Sequence, residues 1–183
     1  MNKFGGWAIQ ESCFNFIREI LSEGKTILEL GSGHGTDALS KHYNMISVEN
    51  QKEWVGVYKS KYLYVPIKNY HDPSIIFTPE FGSVDNFPPD LPGDDSPKQK
   101  GWFDHEILKE KLDGLDYDLI LIDGPNGLIG RGGFLKYINL FNTQVPMIFD
   151  DINRESERQL MIKTSKLLNK PYKELDRNTG YIL

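Results

Sequence analysis

A single cysteine, Cys13, in 183 residues rules out an intrachain disulfide and any metal site made of clustered thiolates, and it suits a reducing compartment. Positive charge is also short: 21 Lys plus Arg against 26 Asp plus Glu leave a net charge of -5. No overall field therefore draws the chain to nucleic acid or to an anionic membrane surface. No apolar run reaches the roughly 18 residues of a spanning helix. The opening MNKFGGWAIQESC turns polar too early to form the apolar centre of a signal peptide. These absences lead to the expectation of a cytoplasmic protein with no nucleic-acid or membrane partner. There is no internal repeat and no coiled-coil array. What is present is the material of one globule: 39% hydrophobic and 12% aromatic residues can build a core, and the length suits one domain, 1–183, better than two.

Hydrophobic spacing orders the elements. Apolar residues at three- and four-residue intervals from Trp7 through Cys13, Ile17 and Leu21 predict an amphipathic helix ending near Gly24. KTILEL (25–30) predicts a short buried strand, followed by a glycine turn and a helix beginning near Thr36. Met45 to Val48 predicts a second strand ending at Glu49, and Gln51 to Lys59 a crossover helix with Trp54, Val55 and Tyr58 on its packed side. Tyr62 to Ile67 and Ser74 to Thr78 read as short strands. Six of the ten prolines fall between Pro73 and Pro97, which excludes a long helix there. Residues 81–101 therefore read as an insertion, either a plain surface loop or a lid over a substrate.

Beyond it, Trp102 to Leu112 predicts a helix and YDLILI a buried strand ending at Asp123. A glycine-rich connection (124–133), a helix over FLKYINLF and a strand over VPMIF come next, the last presenting Asp150 and Asp151 at its far edge. A helix beyond Asn153 stops before Pro171, and YKEL with GYIL predicts a terminal edge pair. This alternation indicates an α/β domain with an open, mainly parallel central sheet and helices on both faces.

The most informative stretch is ILELGSGHG (27–35), a glycine turn at the end of an apolar strand. Gly31, Gly33 and Gly35 permit a tight turn and close approach of backbone to a ligand, while Glu29 either receives hydrogen bonds from that ligand or orders the loop. A nicotinamide fingerprint is incomplete, because GxGxxG requires glycine where Thr36 stands. The Lys and Ser or Thr that end a nucleoside-triphosphate loop are missing as well. A turn with no ligand at all is the plain structural alternative.

ELGSGHG resembles the first motif of class I S-adenosylmethionine-dependent methyltransferases, and the strand ending in Glu49 resembles their second. The resemblance implies a single-domain Rossmann-like methyltransferase fold over most of the chain. It implies a cofactor site of Glu29, Gly31, Ser32, Gly33, Gly35, Glu49 and Asn50, the loop meeting the amino-acid portion and ribose of S-adenosyl-L-methionine and Glu49 the ribose hydroxyls. From the residues alone, Glu49 also reads as a solvated strand-end carboxylate and Asn50 as a turn former.

YDLILIDGPNGLIGRGG and MIFDDINRE look like segments of small-molecule or carbohydrate O-methyltransferases of this superfamily. Asp123, Asp150 and Asp151 fall at the carboxyl ends of two predicted neighbouring strands, where open parallel sheets place ligands. Hard oxygen ligands suit Mg²⁺ or another divalent cation. Catechol-type O-methyltransferases use a similar arrangement. Here Asp151 stands in place of their asparagine and Asn126 in place of their catalytic lysine. The alternative is that the carboxylates cap turns or the following helix and Asp123 braces the glycine loop.

The resemblance implies methyl transfer to a hydroxyl of a small metabolite or glycan precursor, with Asp123 at the reacting centre. His105 is a candidate general base, able to take a proton near neutral pH, and equally an ordinary packed or surface histidine. Arg131 and Arg154 are candidate anion binders by their planar forks, and salt bridges are the alternative. Trp102, beside the insertion, is a candidate cover for a sugar or aromatic acceptor, and Asn126 completes the substrate-binding set. Two other classes remain open: a noncatalytic nucleotide- or sugar-binding module, and a structural partner in a biosynthetic complex. A homo-oligomer is open too.

Overall fold

Runs such as LILI at 119–122, apolar at every position, fit only where a sheet is covered on both faces. That is their setting in the computed structural model, which describes residues 4, 8–69, 76–77, 101–127 and 129–183. The chain forms α1 (Glu11–Ile20), β1 (Thr26–Leu30), α2 (His34–Leu39), β2 (Asn44–Glu49), β3 (Lys61–Tyr64), β4 (Ile67–Asn69), β5 (Ile76–Phe77) and β6 (Gly101–Phe103). It continues through α3 (His105–Leu112), β7 (Leu119–Ile122), α4 (Gly133–Lys136), β8 (Met147–Phe149), α5 (Glu155–Leu168), β9 (Tyr172–Glu174) and β10 (Gly180–Ile182).

Seven strands make the central sheet in the order β3-β2-β1-β7-β8-β10-β9. All neighbours run parallel except β10, which is antiparallel to both β8 and β9. Side-chain alternation divides the core in two. Ile27, Met45, Leu119, Leu121 and Ile148 join Cys13 and Ile17 of α1 and Leu39 of α2 on one face. Leu28, Leu30, Val48, Ile120, Ile122 and Phe149 join Leu108 of α3, Phe134 of α4 and Leu160 of α5 on the other. The expected α/β plan, an open and mostly parallel sheet with helices on both faces, is the one observed. No helix among the described residues is long and apolar enough to cross a membrane.

The local differences have identifiable causes. The strand expected over 62–67 is split at Val65 and Pro66, with β3 in the large sheet and β4 in a small antiparallel sheet of order β5-β4-β6. The helix expected over 51–59 is one 3-10 turn, Lys52–Trp54. Gly56 leaves helical space at φ +84, and Val55, expected on the packed side, is exposed. The helix expected over 134–141 breaks after Lys136. The break brings the Phe134 and Phe141 rings to 4.9 Å, whereas seven residues of unbroken helix would hold them about 10 Å apart. Trp7 and residues 81–100 of the expected insertion lie outside the described residues.

Trp102 is a further correction. It begins no helix: Gly101–Phe103 pairs with β4 as strand β6, and α3 starts only after Asp104, whose Oδ1 caps the amides of Glu106 and Ile107 at 3.1 and 3.4 Å. The indole is buried at 1% exposure, edge-on to Phe103 and pressed against Gly133, so it packs the core. Its N–H has no acceptor among the described residues. Trp102→Phe is therefore expected to lower stability by less than about 1 kcal/mol in urea unfolding, because the lost packing is offset by removal of an unsatisfied buried donor.

Candidate functional site

The chain leaves β1 toward β2 on one side and β7 toward β8 on the other, so the carboxyl ends of these adjacent strands are the switch point of the sheet. A cleft of about 430 Å³ opens there, within the range of small-molecule sites. Its back wall depends on two glycines. Gly31 turns at φ +85, and a Cβ on it would lie 2.8 Å from Gly124 Cα; a Cβ on Gly124 would lie 2.6 Å from Gly31 Cα. The two backbones touch where both strands end, while the Asp123 amide still donates to Leu30 O at 3.0 Å.

The glycine loop is held from beneath. Glu29, at 1% exposure, accepts from Thr36 Oγ1 at 2.8 Å and Ser47 Oγ at 2.9 Å, and Thr36 Oγ1 accepts from the Gly33 amide at 3.1 Å. Burial pushes the Glu29 carboxyl up to about 8, against those two hydroxyl bonds and with help from the nearby Glu49 charge. From above, Glu49 clasps the loop. Its Oε2 accepts from the Ser32 amide (2.9 Å) and hydroxyl (2.7 Å), and its Oε1 from the amides of Asn50 (2.7 Å) and Gln51 (2.8 Å). Thus Glu49 lies at the cleft but is satisfied by the chain itself. Of the two roles read for Glu29, the one the geometry supports is ordering the loop.

On the opposite wall, Asp123, Asp150 and Asp151 each bring a carboxylate oxygen within 4.8 Å of the others. Successive residues of a strand point to opposite faces. Asp151 escapes this alternation by a left-handed backbone, φ 62, and so joins its neighbour on one side. The centre of this wall is Arg131, 3% exposed. Its terminal Nη2 donates to Asp123 Oδ1 at 3.2 Å and to Asp151 Oδ2 at 2.8 Å. Its Nη1 donates to Asp150 O at 2.9 Å and Ile122 O at 3.5 Å, and its Nε to Pro125 O at 3.3 Å. The five N–H donors of a guanidinium thus meet five acceptors. Arg131 was a candidate for anion binding; the structure makes it an internal brace between the ends of β7 and β8.

Arg154 adds a 2.9 Å ion pair to Asp151 Oδ2 and is otherwise half-exposed on the cleft. Burial raises both the Asp123 and Asp150 carboxyls. The neighbouring carboxylates add to the rise, and Arg131 opposes it. Asp150 Oδ1 has no partner among the described residues.

The structure brings most of the expected set to one cleft: Gly31, Ser32, Gly33, Glu49 and Asn50 on one wall, and Asp123, Asn126, Arg131, Asp150, Asp151 and Arg154 on the other. Three expected members do not line it besides Trp102. Glu29 lies beneath the loop, and Gly35 packs on Ile9, from which a Cβ would be 3.3 Å away. His105 stands at the start of α3, stacked on Tyr137 with ring centroids 4.6 Å apart, so it is displaced from the candidate base position. Sequence reasoning missed Gln10 and Gln51, and it favoured core packing over a pocket wall for Trp54, which lines the cleft. Trp54 is edge-on to His34, whose ring meets the Tyr58 hydroxyl. The sign available for Trp54 was its position five residues beyond the end of β2, where a short turn returns the chain to the crevice. Searches for a matching family model and for a matching curated protein both find none.

Proposed function

We propose that this protein transfers a methyl group from S-adenosylmethionine to a hydroxyl of a small metabolite or glycan precursor. The observation that carries the reading is the cleft itself: a glycine turn with no room for a Cβ, facing Glu49 at the end of the next strand, in the places the ELGSGHG resemblance leads one to expect. The sheet supports it. Its strands in chain order begin 3-2-1-4-5, as in doubly wound nucleotide-binding domains, but the antiparallel β10 stands where a dinucleotide fold continues with its sixth strand.

The residues fit this cofactor, since Gly31, Ser32 and Gly33 line the cleft with a glycine-rich turn and Glu49 offers a carboxylate there. S-adenosylmethionine supplies the electrophilic methyl group on its sulfonium. The chain does the rest. Glu49 accepts a ribose diol by exchanging the Ser32 hydroxyl for it, Asn126 and Arg154 orient the acceptor, and Asp123 accepts the hydrogen bond of the reacting hydroxyl and receives its proton. A divalent ion does not fit the same wall as it stands, because Arg131 Nη2 already lies between Asp123 Oδ1 and Asp151 Oδ2; no step is assigned to one.

Calorimetry with S-adenosylmethionine and its demethylated product is the test, followed by methyl-transfer assays on hydroxylated metabolites. Micromolar binding is expected, with Glu49→Ala weakening it by about tenfold or more, equivalent to ~1.4 kcal/mol. No binding at millimolar cofactor defeats the proposal, and binding unchanged in Glu49→Ala removes the ribose role. Binding without turnover on any acceptor would instead assign a noncatalytic binding module.

A further inference from the structure

We infer that Arg131 is the resident cation of the carboxylate cluster, standing where a divalent metal would otherwise bridge Asp123 and Asp151, so that the native site takes no metal. This concerns the wall of the cleft and does not depend on methyl transfer. A metal held by three carboxylates must sit about 2.0–2.6 Å from an oxygen of each. Here the space between Asp123 Oδ1 and Asp151 Oδ2 is spanned by Nη2 of Arg131, at 3.2 and 2.8 Å. An ion entering there meets a like charge that a guanidinium cannot shed by losing a proton.

The arginine has no easy way out. Its side chain is 4% exposed, and the rest of its fork is tied to the carbonyls of Ile122, Pro125 and Asp150. Swinging it into solvent would take a donor from Asp123 and from the Pro125 and Asp150 carbonyls, while Asp151 would keep Arg154 and Ile122 O the Asp150 amide. Charge also argues for occupancy: Arg131 and Arg154 already set two positive charges against the three carboxylates, and Asp151 Oδ2 receives both guanidiniums. Asp150 Oδ1 is buried without a partner among the described residues, but one ligand atom is too few for a cation without the other two aspartates. A fixed guanidinium does part of what the metal would: it holds Asp123 and Asp151 in one orientation and lowers the cost of their proximity.

Mn²⁺ and Mg²⁺ titrations of the full chain, followed by calorimetry and by the paramagnetic signal of free Mn²⁺, test this. The wild-type protein is expected to show no saturable site up to about 1 mM ion. Arg131→Gln, checked for folding by circular dichroism, exposes three carboxylates and is expected to bind Mn²⁺ at least about tenfold more tightly than wild type. A wild-type site in the micromolar range that disappears in Asp151→Asn overturns the inference, as does a folded Arg131→Gln with no gain. If Arg131→Gln does not fold, the wild-type and Asp151→Asn titrations decide alone. Cofactor calorimetry on the same sample keeps this result separate from the fate of the methyl-transfer reading, since either can fail without the other.

Discussion

Gly124→Ala is expected to cost about 4 kcal/mol or more of stability and to abolish binding in the cleft. The new Cβ would lie 2.6 Å from Gly31 Cα and 2.9 Å from both Gly31 N and Leu30 O, where ordinary contact begins near 3.4 Å. Every one of these atoms is backbone, so no rotamer change relieves the overlap. β1 and β7 must part at the edge where the Asp123 amide donates to Leu30 O. Gly31→Ala adds the penalty of φ +85 to a similar clash and should be at least as damaging. Gly114→Ala is the control. Its φ is +68 but nothing lies within 4 Å of the added Cβ, so it should lose only about 1 kcal/mol. Urea unfolding of the three variants checks the argument, and equal losses at Gly114 and Gly124 would refute it.

The second large effect is on the pH profile. Glu29 holds its proton up to about 8 in the folded protein, against an ordinary value of 4.5. Between those values the folded chain binds a proton that the unfolded chain has released. The contribution to stability is therefore complete below about pH 4.5, falls as pH rises, and is exhausted above about 8. The loss is on the order of 5 kcal/mol, and in a chain of this size it lowers the melting temperature by roughly 10 °C. Glu29→Gln keeps the oxygen to which Thr36 and Ser47 donate but has no charge to bury. Its melting temperature should match wild type near pH 4.5 and exceed it by roughly 10 °C at pH 8.5. Parallel curves for the two proteins would mean that the buried carboxyl does not set the slope.

Much of the architecture was legible because it rests on local pattern. ILEL and LILI could be placed in covered strands by composition alone, and a glycine directly after the first of them marked the turn at the switch point. The failures share another cause. Trp102 and Phe103 precede Ile107 and Leu108 at spacings that suit a helix, but pairing with Lys68 and Ile67, more than thirty residues away, draws them into a strand. Nothing local announces that partner. Arg131 is a starker case: a charged residue inside GLIGRGG looks like exposed loop, and its five acceptors come from positions 122, 123, 125, 150 and 151, which only the adjacency of β7 and β8 assembles. The acidic wall was readable as three residues and Arg131 as an anion binder, but not that the arginine's anions are the wall itself.

The position of β10 has a consequence for how the molecule is made. In chain order it follows β9, yet in space it lies between β8 and β9, pairing the free edge of β8 and the one paired edge of β9. As the chain emerges from the ribosome, β8 must wait with an open edge through the synthesis of α5 and β9. Strand β9 has no partner in the sheet until β10 arrives and threads between them. A nascent chain stalled before residue 180 should therefore remain more open to protease at β8 than one that includes β10, because the sheet is closed there by a strand made after both of its neighbours.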